Sequence, residues 1–294
     1  MVDRGLYERR NEPNSLGMIA LLMSTYNGER YLAEQLDSII AQSYTDWRLF
    51  VRDDGSKDRT LKILDEYVQK DTRITILRDT ENLGACQSFE RLLEQCGEAD
   101  YYAFADQDDV WMPDKLAVSL EAIRKAEKDF PNQAVVVHTD LQVVDEELNE
   151  IAPSFWHYGG IVPEILDANI HYLAICNSVT GCAMLMNRAA RKAAIPFSPG
   201  IFMHDAWVAL AVLKAGGRVV PIVQKTILYR QHTQNVCGAQ RYRFRVSNIR
   251  EKYRLAQRSY RTGHPLVFRN KMHFVWWKTV YFIVLHSYRI RHKA

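Results

Sequence analysis

Four short apolar runs within the first 111 residues each give way to a polar cluster, and a helical pattern separates each run from the next. Met18–Met23 ends in Ser24-Thr25-Tyr26-Asn27-Gly28, and Trp47–Arg52 ends in Asp53-Asp54-Gly55-Ser56. Arg73–Arg78 leads to Asn82-Leu83-Gly84, and Tyr101–Ala105 ends in Asp106-Gln107-Asp108-Asp109. Runs of this length read as buried strands. Between them, Tyr31, Leu32, Leu36, Ile39 and Ile40 recur at helical spacing, as do Leu61, Leu64, Tyr67 and Val68, and then Phe89, Leu92, Leu93 and Cys96. Strands alternating with helices through short turns predict a parallel, doubly wound α/β sheet with right-handed crossovers. Its strands release the polar clusters along one edge, where open α/β sheets take their ligands.

The fourth cluster places three carboxylates within four positions. Crowded carboxylates repel one another unless a cation sits among them, so one reading is a divalent-metal site. The other is a solvated turn into a helix started by Pro113, with Asp114 in its first turn. A nucleotide suits such an edge, yet no G-x-G-x-x-G follows the first strand and no G-x-x-x-x-G-K-[ST] occurs anywhere. Nicotinamide-dependent hydride transfer and P-loop phosphoryl transfer are therefore disfavoured. Without a glycine cradle, a diphosphate needs a metal to neutralise it.

Further along, Ala134–His138 reads as a fifth strand, and 141–150 is polar and mixed. Phe155–Gly160 is an aromatic loop, either a packed corner or an acceptor contact through Trp156. Thr180–Met186 reads as another buried strand. Pro196–Gly200 breaks the chain before a helix that opens near His204-Asp205-Ala206-Trp207 and runs through Leu213. Arg218–Arg230 is one long strand or a strand pair. Asp205 at a helix start reads as an N-cap on position alone.

Length and composition suit an ordinary globular chain of one large domain with an appendage: 294 residues, 47% hydrophobic and 25% charged. A net charge of +3 does not point to nucleic acid as a partner. The five cysteines form no C-x-x-C pair and leave an odd count, which fits a reducing compartment. The first 15 residues lack the apolar core of a signal peptide, and no uninterrupted apolar stretch reaches spanning length. The expectation is a cytoplasmic chain.

The ordered set Ser24–Gly28, Asp53–Ser56, Asn82–Gly84, Asp106–Trp111, His204-Asp205 and Arg230–Val236 resembles family 2 glycosyltransferases of the GT-A fold, over about residues 16–240. The likeness is to bacterial rhamnosyltransferase-like members that build cell-surface polysaccharide. It implies a Rossmann-like, mostly parallel sheet flanked by helices, with a nucleotide-binding half (16–112) and an acceptor-binding half (113–240). It further implies a nucleoside-diphosphate sugar donor, with dTDP-rhamnose first and UDP-hexoses next, and a glycan or polyprenyl-linked glycan acceptor. By this resemblance Thr25, Tyr26, Asn27, Asp53, Asp54, Asn82, Gly84, Asp106 and Gln107 hold the nucleotide. Asp53 or Asp54 would accept from the pyrimidine N3–H, and Asp106 would face the ribose. Asp108 and His232 would hold Mg²⁺ or Mn²⁺, although His232 also reads as a satisfied histidine at a strand end. Asp205 would be the general base of an inverting transfer, with His204, Trp207 and Trp156 on the acceptor side. A catalytically silent sugar-nucleotide or glycan binding module and a metal-dependent nucleotidyltransferase use similar residues. The D-x-D element Asp106-Gln107-Asp108 together with a candidate base favours the transferase.

Residues 1–15 read as an N-terminal tail and 241–294 as a basic, aromatic helical extension. From Arg241 onward 14 Lys or Arg face a single acidic residue, Glu251. Met272–His286, with Trp276-Trp277 and Lys278, is too short and too interrupted to be read as a membrane span. Tryptophans among basic residues suit a membrane interface, here the inner membrane surface, which would make the chain peripheral there. The alternative is a helix packed on the catalytic unit or on the partner of a homodimer.

Overall fold

The computed structural model describes residues 17–77, 81–233, 235, 238, 239 and 249–291. The N-terminal tail, Arg78, Gln234, Val236, Cys237 and the basic run Arg241, Arg243 and Arg245 lie outside the described residues.

The alternation of the first half appears as β1 (Ile19–Thr25), α1 (Leu32–Ile40), β2 (Trp47–Asp53), α2 (Thr60–Lys70), β3 (Ile74–Leu77), α3 (Ala85–Gln95) and β4 (Tyr101–Ala105). Side chains alternate across a strand, so β1 serves both faces. Ile19, Leu21 and Met23 pack with Leu32, Leu36 and Leu64, whereas Ala20 and Leu22 pack with Phe89, Leu92 and Phe104. Burial on both faces is why β1 and β4 read as continuous apolar runs. Leu61, expected on the buried face of α2, is exposed; the face that docks carries Thr60, Leu64 and Tyr67.

Next come β5 (Val110–Trp111), α4 (Lys115–Asp129), β6 (Val135–Val144), β7 (Glu150–Ala152), α5 (Phe155–Gly159), α6 (Pro163–Leu166) and α7 (Ile170–Ile175). The chain continues through β8 (Met184–Asn187), α8 (Arg188–Ala194), α9 (His204–Lys214), β9 (Arg218–Arg230), α10 (Ile249–Gly263) and α11 (Lys271–Arg291). The sheet order is β3-β2-β1-β4-β8-β6-β9-β5, with β7 beside β6. Strands β3, β2, β1 and β4 are parallel. Beyond β4 the sheet turns mixed, because β8 runs antiparallel to both β4 and β6 while β6 and β9 are parallel.

Four stretches differ from the sequence reading. Strand β6 continues to Val144 because its polar residues find partners: Thr139 shares a 2.7 Å hydrogen bond with Thr226, and the Asp140 carboxylate accepts from Trp156 N. The run 180–186 opens as a 3-10 turn at Gly181–Ala183, and strand pairing starts at Met184. The aromatic loop is a short helix, α5, capped by Ser154 Oγ accepting from His157 N. Helix α4 starts at Lys115, so Asp114 occupies the cap position ahead of its first turn.

Register decides where the polar clusters go. Thr25 lies opposite Asp53 and Met23 opposite Ala105, so the loops after β1, β2 and β4 leave the sheet side by side. Arg52, fully buried at the end of β2, fastens one of them. Its guanidinium donates to the Asp54 carboxylate at 2.6 Å and to Ser88 Oγ at 2.7 Å, and reaches the Glu81 carbonyl.

Replacing Arg52 with Met leaves Asp54 buried without its cation, which typically costs about 3–5 kcal/mol. The expected result is a lower urea midpoint at unchanged slope, partly restored by adding Asp54→Leu. A midpoint equal to the parent's would show that the pair does not hold this loop.

Candidate active site

Thr25 and Asp53 begin the site. The Asp53 carboxylate accepts from Thr25 Oγ1 (2.9 Å), Ser56 Oγ (2.6 Å), Ser56 N (2.9 Å) and Gly55 N (3.2 Å). Four donors occupy the sites a carboxylate offers, so Asp53 organises its own loop. Asp54 does the same for the next loop, accepting from Arg52, Leu83 N and Gly84 N, while its carbonyl accepts from Asn82 Nδ2 at 2.7 Å. Gly84 (φ +76°) begins α3 in a conformation that favours glycine.

The first and fourth loops are joined by an amide. Gln107 Oε1 accepts from Tyr26 N (2.9 Å) and Gln107 Nε2 donates to Tyr26 O (3.0 Å), as a neighbouring strand would. A Cβ at Gly28 would sit 2.3 Å from Gln107 Oε1, so a larger residue there would displace this amide. Asn27 accepts from Lys57 N (2.8 Å), and the Tyr26 ring stands half exposed above the edge.

The acidic cluster comes next. Burial first, then the Asp108 and Asp205 carboxylates, push Asp106 up to about 7. Asp108 Oδ2 lies 2.7 Å from His232 Nε2 and 3.3 Å from Asn235 Nδ2. Asp109 is buried, and burial with its acidic neighbours pushes it well above the usual carboxylate range. It holds Arg230 N at 3.2 Å. Arg230, buried, donates from Nε to Asp108 O (2.8 Å), pairs with Glu34, and lies over the Tyr31 ring. Arg230 thereby fixes β9, and with it His232, against the acidic loop.

Asp106, Asp109 and Cys182 present ligand atoms within 4.8 Å of one another. Burial, with their acidic neighbours, holds both the Cys182 thiol and the Asp109 carboxyl well above their ordinary values. A hard cation prefers ionised oxygen ligands. The residues that fit Mg²⁺ or Mn²⁺ are therefore Asp108, at the rim, with His232 beside it. A cation there also offsets the repulsion that raises Asp106.

Asp205 lies in the first turn of α9, where Met203 occupies the cap position. Its carboxylate accepts from Ala206 N (2.5 Å), Gly181 N (3.1 Å) and Asn177 Nδ2 (3.3 Å). Burial outweighs these bonds and pushes Asp205 up to about 6. It lines a largely apolar cavity of about 260 Å³, between α7 and α9, with α10 on one side. Its charge is felt at Asp106, so the cavity and the acidic loop are neighbours. A carboxylate with a value near neutrality, donor groups holding it in place and space in front of it can take a proton from a hydroxyl.

The three residues expected on the acceptor side are buried. His204 is buried, stacked on Phe89 at 4.0 Å and edge-on to Phe104 at 4.7 Å; burial lowers it to about 3, so it is neutral. Trp207 is buried and donates from Nε1 to Ala194 O at 2.8 Å. Trp156 is buried beside His138. All three are core residues. Gly181, Asn177 and Arg230 were not singled out from the sequence for the positions they occupy here; of these only Arg230 sits in a motif.

A family model described as glycosyl transferase family 2 matches residues 20–193. The chain belongs to glycosyl transferase family 2. Among curated family relatives, the dTDP-rhamnosyl transferase RfbG of Shigella flexneri is 39% identical over 105 residues, which cover 34% of this chain and 36% of RfbG. The chain thus spans about a third of that relative's length. The UDP-Glc:alpha-D-GlcNAc-diphosphoundecaprenol beta-1,3-glucosyltransferase WfgD of Escherichia coli is 26% identical over 200 residues, covering 67% of this chain and 70% of WfgD. The solved structure of S. aureus TarS 1-349 in complex with UDP-GlcNAc shares the fold, with a TM-score of 0.59 at 16% identity over 87% of this family 2 chain and 69% of TarS.

A raised carboxyl sets the sign of the pH dependence. Stability carried by protonated Asp205 is complete below about 4 and is lost as pH rises through about 6. The expected observation is a carboxyl titrating near 6 in carbon NMR spectra that disappears in Asp205→Asn. If every carboxyl that titrates near 6 survives in that variant, Asp205 is not the raised group.

Proposed function

We propose that the chain moves a sugar from a nucleoside diphosphate to a hydroxyl of a glycan acceptor carried on a polyprenyl lipid, with inversion, in bacterial cell-surface polysaccharide synthesis. The observation that carries this reading is the Asp205 carboxylate, raised to about 6 and lining a cavity that adjoins the acidic loop. Likeness to RfbG supports L-rhamnose from a dTDP donor as the first choice, and likeness to WfgD supports a diphosphate-lipid acceptor. In this reading the loops after β1 and β2 and the Asn82-Leu83-Gly84 turn hold the nucleoside. Tyr26 offers a half-exposed ring for the base to stack on. Mg²⁺ or Mn²⁺ held by Asp108 and His232 would supply positive charge against the diphosphate.

Asp205 takes the proton of the acceptor hydroxyl as its oxygen bonds to the anomeric carbon. The bond from that carbon to the diphosphate oxygen breaks with its electron pair, and the diphosphate leaves from the opposite face. Gly181 N–H and Asn177 hold the carboxylate in line for this. The apolar cavity walls keep water from competing with the acceptor.

Asp205→Asn keeps size and cannot take the proton. Turnover, read as nucleoside diphosphate release from a panel of sugar nucleotides, is expected to fall ~10²–10⁴-fold. Donor Kd should stay within twofold or so, because the base contributes to proton transfer rather than to uniform donor binding. Near-normal turnover removes Asp205 from the chemistry, and equal losses of rate and donor affinity make it a binding residue.

Calorimetry of nucleoside diphosphate binding tests the metal separately. Affinity is expected to be higher with Mn²⁺ than with EDTA, and Asp108→Asn should abolish the difference. Equal affinity in both buffers for the parent protein rules the metal out.

A further inference from the structure

We infer that α11 is a docking helix that lays its outward face into the surface of an anionic lipid bilayer. This inference goes beyond the transfer reaction and stands on the helix itself.

The two sides of α11 differ. Phe274, Tyr281 and Leu285 are buried, and Trp277 stacks on His171 of α7 at 3.9 Å. Near its end Arg289 donates to the Gly160 carbonyl at 2.7 Å. The helix is thus fastened along its length to the catalytic unit. On the opposite side Met272 (83% exposed), Val275 (59%), Trp276 (57%), Phe282 (54%), Ile283 (62%) and Ile290 (61%) face outward. They recur three, four or seven residues apart, the spacing of one helix face. The other outward positions between them, Thr279 and His286, carry no fixed charge. Among the described residues, nothing covers this stripe.

A contiguous apolar stripe is unfavourable in water and calls for a covering surface. Charge identifies the cover. From Lys252 to Ala294 the chain has ten Lys or Arg and no Asp or Glu. Arg269 and Lys271 flank one end of the stripe and Arg291 the other, all exposed. Such a patch is repelled by its own copy and attracted to an anionic leaflet. No described helix is long and apolar enough to cross a membrane. With exposed Lys271 and Arg291 at its two ends, α11 suits the interface plane, its stripe among the acyl chains and these cations at the headgroups.

The structure also separates the two tryptophans. Trp276 belongs to the outward stripe, while Trp277 stacks on His171 of α7 and donates from Nε1 to His273 of its own helix at 3.0 Å.

The test uses the full chain and vesicles of phosphatidylcholine with and without phosphatidylglycerol. The protein is expected to sediment with the anionic vesicles and to release in high salt, which screens the attraction. Trp276→Ser, Phe282→Ser and Ile283→Ser together should weaken partitioning on the order of a hundredfold, since each removes apolar area from the buried face. Their melting temperature should not fall, because these side chains face water in the free protein. Arg269→Gln with Lys271→Gln should lower binding to anionic vesicles and leave the neutral baseline unchanged. The inference is overturned if the parent does not sediment, or if the triple variant binds as well as the parent. It is also overturned if the parent is a dimer that the triple variant converts to monomer without any vesicle binding by either. None of these outcomes bears on turnover, so the inference can fail while the transfer reading stands.

Discussion

Four carboxylates, those of Asp106, Asp108, Asp109 and Asp205, are gathered at one edge of the sheet, and their mutual repulsion has to be offset before the chain can fold around them. Several neighbours do this. Asp109, pushed well above the usual carboxylate range by burial and its acidic neighbours, accepts from Arg230 N deep in the cluster. Arg230 brings a buried guanidinium to the Asp108 carbonyl and so draws β9 against the loop. His232 and Asn235 reach Asp108 from the same segment. The long strand β9 therefore does more than extend the sheet, because its end carries the groups that let the acidic loop exist. What is left unrelieved is the raised Asp106 and the rim around Asp108, and that residual repulsion is what a cation bound there would remove.

Continuous apolar runs and helical spacing made the first half of the fold legible. Strands β1 and β4 are buried on both faces, so their apolar runs are unbroken and their ends are marked by polar residues. The second half obeys local pairing that spacing does not reveal. Strand β6 passes through Thr139 and Asp140, and only the opposing Thr226 and the neighbouring Trp156 N–H make those residues tolerable inside. Strand β5 is two residues long and forms because β9 lies beside it. Strand β8 is reversed relative to β4, a direction that an apolar run cannot encode.

The site divides the same way. Aspartates at strand ends were legible, because acidic residues after apolar runs have few places to go. Trp156, Trp207 and His204, expected on the acceptor side, are buried, since an aromatic beside a polar motif can point either way. His204 turns inward because Gly181 leaves room for its ring: a Cβ on Gly181 would lie 2.6 Å from the ring Nε2. The same glycine turns its N–H toward Asp205. One small residue thus seats the histidine in the core and the aspartate at the cavity, a relation invisible in sequence because Gly181 and Asp205 are 24 positions apart.

The C-terminal helices then tie the cavity to the surface. Leu255, Arg258, Ser259 and Thr262 of α10 line the cavity beside Asp205. Ser259 Oγ donates to Ile175 O at 3.1 Å and Thr262 Oγ1 accepts from Phe202 N at 3.3 Å, so α10 is held to the segments that make the opposite walls. Phe268 and Phe274 pack edge to face at 5.0 Å and join α10 to α11 through an aromatic corner. Close packing of this kind transmits position rather than absorbing it. The outward stripe of α11 and the cavity lining of α10 therefore hold a set relation to each other. A surface that engages α11 meets the molecule in one orientation, and the opening beside Asp205 takes its direction from that contact.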